Sequence, residues 1–156
     1  MFSSACGYRF AGSGSFPAGI KSVRISILEN RTSETGMENI ITNDLIYEVT
    51  RDKKVALTSV DKAAALLSGV IKSMSIETIS RTGTHSSLER RVTVTVDLKL
   101  TGPNGRVIWS ARGVSANEAY DVMSDKLATE QNRRNAISVL SKRLAEKVYN
   151  RITADF

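Results

Sequence analysis

The chain has 156 residues, of which 41% are hydrophobic and 24% charged, with two prolines and a single cysteine. Such a chain suits one domain that buries roughly 68–70% of its unfolded surface, and the composition excludes disorder, collagen and disulfide-stapled scaffolds. Twenty-two basic against sixteen acidic residues leave +6 at pH 7, a surplus that favours an anionic partner, and no apolar run approaches the ~20 residues of a spanning helix.

Near the N-terminus, small residues stand immediately before the cysteine in Ser3-Ser4-Ala5-Cys6-Gly7. A lipoprotein signal peptidase reads such a sequence and cuts before the cysteine, whose thiol then carries a diacylglycerol. Without a partner, Cys6 can form neither an intramolecular disulfide nor a zinc site. Residues 1–19 are therefore expected to be a signal-peptide remnant, a lipidated Cys6 and a Gly/Ser tether, and residues 20–156 one domain.

Ile20 to Ile27 alternates apolar and polar residues, which predicts a half-buried first strand. Glu29 to Gly36 reads as a polar loop. Met37, Ile40, Ile41, Leu45, Ile46 and Val49 recur at helical spacing, so a first helix is expected to end near Arg51 to Lys54. Val55 to Leu57 is a short extended piece, and Asp61 to Leu66 is ambiguous between a turn of helix and the approach to a strand. Gly69 to Ser80 reads as a strand. Val92, Val94, Val96, Leu98 and Leu100 alternate with Thr93, Thr95, Asp97 and Lys99 in the clearest strand of the chain. Turn chemistry at Thr101 to Gly105 predicts a hairpin partner over Arg106 to Val114, with Trp109 in the core. After a polar loop, Ala136, Ile137, Leu140, Leu144, Val148 and Ile152 form the stripe of a long final helix, whose other face carries Arg133, Arg134, Lys142, Arg143, Lys147 and Arg151. Those bases read as a solvated face.

Strand, helix, three strands and helix together predict an α+β two-layer sandwich, a mostly antiparallel sheet with two helices on one face. One histidine, one cysteine and no HExxH, CxxC or GxSxG pattern leave no catalytic or metal set, and His85 reads as a loop residue. The chain is expected not to be an enzyme and to need no cofactor.

Several segments together resemble the LPS-assembly lipoprotein family, LptE. Cys6-Gly7-Tyr8-Arg9-Phe10 is similar to the family's mature N-terminus, and Leu28-Glu29-Asn30-Arg31-Thr32 to its "ENRT" after the first strand. Gly105-Arg106-Val107-Ile108-Trp109-Ser110 resembles its last strand, and the helix from Leu127 closes the match. The resemblance implies a lipid-anchored protein on the periplasmic side of a Gram-negative outer membrane. It implies two partners, an LptD-type β-barrel that the protein plugs and the lipopolysaccharide it helps deliver to the cell surface, and no nucleic acid. Gly7 after the cysteine, rather than Asp, fits sorting toward the outer membrane.

A binding edge can be argued beside this. In the meander, the loop after Ser80 lies at the same end as the segment leaving the third meander strand. That end gathers Arg81, His85, Arg90 and Arg91, with Lys126 from the lead into the last helix, and Arg31 joins if the first strand runs parallel to the second. Guanidinium groups bind phosphate bidentately, so Arg81, Arg90, Arg91 and Lys126 are the expected lipopolysaccharide contacts. Two other classes stay open: another envelope lipoprotein, such as an activator of cell-wall synthesis, and a basic nucleic-acid-binding module.

Overall fold

The computed structural model describes residues 15–59, 63–80 and 88–154. After a 3-10 turn at Pro17–Gly19, the chain forms β1 (Ser22–Ile25), β2 (Glu29–Asn30), α1 (Met37–Arg51), β3 (Ala56–Leu57), β4 (Ala65–Ser80), β5 (Leu88–Thr101), β6 (Val107–Asp121) and α2 (Lys126–Ala154). The six strands make one mixed sheet in the order β3-β1-β4-β5-β6, with β2 paired to β4 beside β1. This is the expected α+β sandwich.

The alternation on β5 explains the two layers. Val92, Val94, Val96, Leu98 and Leu100 are buried, whereas Thr93, Thr95 and Asp97 are half-exposed on the opposite face. The α2 stripe, from Ala136 to Ile152, packs into the same core with Met37, Ile41, Leu45 and Val49 of α1. Each fully buried aliphatic side chain of this kind contributes about 1.5–3 kcal/mol, so one continuous apolar layer holds both helices to the sheet.

The connections divide the sheet into two halves. β1 runs parallel to both β3 and β4, and β2 parallel to β4, while β4, β5 and β6 are antiparallel. A parallel pair needs a crossover, and α1 supplies it between β1 and β3.

Four expectations need correction. The first strand is shorter than Ile20–Ile27 because the alternation breaks at its end, where Ile27 is exposed and Leu28 buried. Glu29–Asn30, expected as loop, is a two-residue strand paired with β4, with Glu29 opposite Val70 and Asn30 opposite Ile71. β4 begins at Ala65, so Ala65 and Leu66 belong to the strand they were expected to approach. Finally, β6 continues to Asp121 instead of ending at Val114. Its register shifts where Arg112 and Gly113 both stand opposite Asp97, with Gly113 at φ +69°. The Asp97 carboxylate accepts a hydrogen bond from the Gly113 amide at 2.8 Å, which holds this bulge and lets pairing resume beyond it.

Phe16 is buried, with its ring centroid 6.4 Å from that of Tyr149 near the end of α2. On β4, Gly69 lies so close to β5 that a Cβ there would stand 2.3 Å from the Asp97 carbonyl oxygen. Gly69→Ala is therefore expected to lower stability by about 1–3 kcal/mol, measured by denaturant unfolding, because backbone must shift to admit the methyl.

Candidate functional site

Pairing of Ser80 with Leu88 and of Glu89 with Asp121 brings the β4–β5 connection and the exit of β6 to one end of the sheet. Val122 donates its amide to the Leu88 carbonyl at 2.9 Å, which ties the exit down. Asp125 then caps α2, accepting from the Leu127 amide at 3.0 Å. Lys126 opens the helix at this same end.

Of the residues expected here, Arg90, Arg91 and Lys126 are described and exposed. Arg81 and His85, like Cys6, lie outside the described residues. Arg90 and Arg91 do not form one cluster. Arg90 stands opposite Thr78 and buried Tyr120, in phase with Val92, and so points to the helix-covered face. Arg91 stands opposite Glu77 and Ala119, in phase with Thr93, and points to the open face.

β1 does run parallel to β4, the condition set for Arg31 to join this end, yet Arg31 does not join it. Its amide donates to the carbonyl of Ile71, midway along β4, and from Ile71 to Ser80 the strand runs on for about 30 Å. Carboxylates also sit among the bases, namely Glu77, Glu89, Asp121 and Asp125. The end is therefore mixed in charge rather than uniformly basic. It also exposes apolar side chains close to these charges: Leu88 is 50% exposed, Met123 51% and Leu127 79%. Leu88 shares the helix-covered face with Arg90. Leu88, Met123 and Leu127 were missed in the sequence because none belongs to a periodic stripe.

The helix-side wall of this end is pinned by Arg133, which was expected to be solvated. It is half-buried and reaches Glu34, in the segment before α1, and Glu130 on its own helix. Hydrogen bonding to Arg133 pulls the Glu130 carboxyl from 4.5 down to about 2. Glu130 and Glu34 in turn hold the Arg133 guanidinium above its ordinary range.

The β2–α1 segment is organised by Asn30. Its carbonyl oxygen accepts from the Thr32 amide at 2.9 Å and the Thr32 hydroxyl at 2.7 Å. Its amide nitrogen donates to the Glu34 carbonyl and to Glu38, each at 2.8 Å. Glu38 also accepts from the Gly36 amide, and the Asn30 hydrogen bond is the main reason its carboxyl lies below the usual range.

Elsewhere, a groove of about 490 Å³ between the outer faces of the helices is lined by Asp44, Tyr47, Glu48, Arg51, Lys142 and Glu146. Burial pushes the Glu48 carboxyl up, opposed by Arg51 at 3.5 Å. Among the described residues no three His, Cys, Asp or Glu side chains are grouped to hold a metal, and no helix is long and apolar enough to cross a membrane.

A family model described as LptE, lipopolysaccharide-assembly, matches residues 20–152. Among solved structures, a minor lipoprotein from Acinetobacter baumannii is 19% identical at a TM-score of 0.57, with 87% of this chain and 92% of that one covered. An uncharacterized lipoprotein B from Nitrosomonas europaea is 12% identical at 0.59, with 90% and 86% covered. The rare lipoprotein B from Shewanella oneidensis is 16% identical at 0.51, with 80% and 89% covered. At these identities they share the fold. Among curated proteins, none matches the sequence.

Substitutions at two residues test the local chemistry. Asn30→Ala is expected to cost about 1–3 kcal/mol, because the Thr32 and Glu38 groups lose their partner. Asn30→Asp is expected to be no better, since it keeps the acceptor but sets a carboxylate against Glu38; chemical unfolding measures both. Glu130 is depressed on folding, so its stabilisation is complete above its ordinary value of 4.5 and is lost as pH falls toward about 2. Arg133→Gln is expected to flatten that part of the stability-against-pH curve and to return the Glu130 titration, followed by NMR, toward 4.5.

Proposed function

Because this chain belongs to the LptE lipopolysaccharide-assembly family, we propose that it plugs an LptD-type outer-membrane β-barrel and assists the delivery of lipopolysaccharide to the cell surface. In this reading a diacylglycerol on Cys6 holds it to the periplasmic side of the outer membrane. Each buried CH₂ of such an anchor contributes roughly 0.8 kcal/mol, so several acyl chains outweigh the attraction of +6 charges for an anionic surface. The role is one of assembly and guidance, with no covalent step assigned to the chain.

The observation that carries the glycolipid part is the juxtaposition of cations and exposed apolar side chains at the hairpin end. Lipopolysaccharide offers phosphates and acyl chains on one molecule. Arg90 and Lys126 supply charge, and Leu88 and Leu127 supply apolar surface, on the side of the sheet that α2 covers. Arg81 extends the same end in sequence. Arg91, on the opposite face, is the weakest member of the set.

Two experiments test the proposal. A C-terminally tagged protein is purified from envelopes in mild detergent. A stoichiometric LptD-type barrel is expected, and lipidated protein free of any barrel would overturn the plug reading in favour of another envelope lipoprotein. In parallel, Arg90→Ala is expected to weaken lipopolysaccharide binding about tenfold, the loss of one charge-assisted hydrogen-bonding group, while Arg91→Ala changes it by less than about twofold. Equal effects of the two would show that the face does not matter and would sink the assignment of the site to the α2 side.

A further inference from the structure

The two outer edges of the sheet are treated differently. β6 has β5 on one side only, and side chains of α2 cap its outer backbone. Lys147 donates to the Ser115 carbonyl at 2.8 Å, Arg143 to that of Asn117, and Asn132 to that of Asp121. All three carbonyls belong to alternate residues, and therefore to one edge. With these acceptors occupied and α2 lying beside them, this part of the edge is closed to a further strand.

β4 presents the opposite case. β1 and β2 pair with it only as far as Ile71. The Asn30 hydrogen bonds then turn the chain away toward α1. From Ser73 to Ser80 no other described strand lies on that side of β4, and no described side chain caps its backbone. On the helix-side face of this stretch, Met74 is half-buried and Ile76 is 42% exposed. On the open face stand Ser73, Ser75 and Glu77.

At the start of the stretch, the register with β5 shifts between Ile71 and Ser73, so Lys72 is the extra residue of a bulge. It shares the open face with Ser73, because its ammonium lies 3.5 Å from Asp97. A lysine on an edge ordinarily discourages strand addition. Here Glu77, five residues on and on the same face, provides a counter-charge that a two-fold axis would bring to it.

We propose that this edge pairs antiparallel with the same edge of a second copy, about a two-fold axis through Ser75. That register sets Met74 opposite the partner's Ile76 on the helix-side face, and the reverse. On the open face it sets Glu77 opposite the partner's Ser73 and beside the partner's Lys72. Apolar meets apolar and acid meets base, twice each, so the strand is complementary to itself in this register. A slip of one residue would place Met74 and Ile76 opposite residues of the other face, which fixes the alignment. The inference does not rest on the proposed function and concerns the chain free of a barrel.

Sedimentation of the full chain carrying Cys6→Ser tests it. The expected result is a concentration-dependent rise toward twice the mass of one chain. Glu77→Lys and Lys72→Glu are each expected to sediment as single chains, since each sets like charges across the axis. An equimolar mixture of the two is expected to recover the dimer, because both cross-axis contacts are then opposite in sign. Ser75→Cys in the same background should oxidise to a covalent dimer, and Thr93→Cys, in the middle of the sheet, should not. A single-chain mass at every concentration, or a mixture no heavier than either variant alone, would overturn the proposal.

Discussion

After β2 the chain could continue straight along β4, but the Asn30 carboxamide uses both its acceptor and its donors on residues that lie ahead of it, Thr32, Glu34 and Glu38. Those bonds satisfy backbone and side-chain groups that a continuing strand would have left to β4, so the path bends into α1. The position of α1 follows from this turn, and so does the crossover that makes β3 parallel to β1. The sheet therefore has a broad half, built around β1 and roofed by both helices, and a three-stranded arm formed by the far half of β4 with β5 and β6. Leu88, Arg90 and the uncovered edge of β4 all belong to that arm.

α2 is long enough to serve both halves. Its apolar stripe is ordinary core, but its long cationic side chains do more than keep the helix wet. Arg133 fastens the loop before α1, and Arg143 and Lys147 lie along the β6 edge. Exposed ion pairs such as Arg143 with Glu118 contribute at most about 1 kcal/mol each. Their value lies in occupying edge carbonyls, which decides where a further strand can add rather than how stable the monomer is.

The strongest periodicities were legible in the sequence, and for a plain reason. Val92 to Leu100 and the stripe from Ala136 to Ile152 each bury one face against the same core, so period and burial agree. The second half of β6 escaped because Ser115, Asn117 and Glu118 have little strand propensity and a glycine bulge precedes them. β2 escaped because two residues held by backbone pairing leave no side-chain pattern. The ENRT segment marked the family without disclosing that its asparagine is a turning device. Arg90 and Arg91 were grouped by proximity in sequence, although the period of two on a strand already assigns neighbours to opposite faces. The carboxylates around them were countable too, but only the register shows that Glu77 and Asp121 come to the same end.

The contact of Phe16 with Tyr149 sets a length for the molecule. Tyr149 and Lys126 lie near opposite ends of one helix, separated by about 35 Å at the usual rise per residue. Phe16 therefore lies at one pole, and Leu88, Arg90 and Leu127 at the other. That separation exceeds the roughly 30 Å of a bilayer's hydrocarbon core. The spacing between Phe16 and that far end is therefore set by the length of α2.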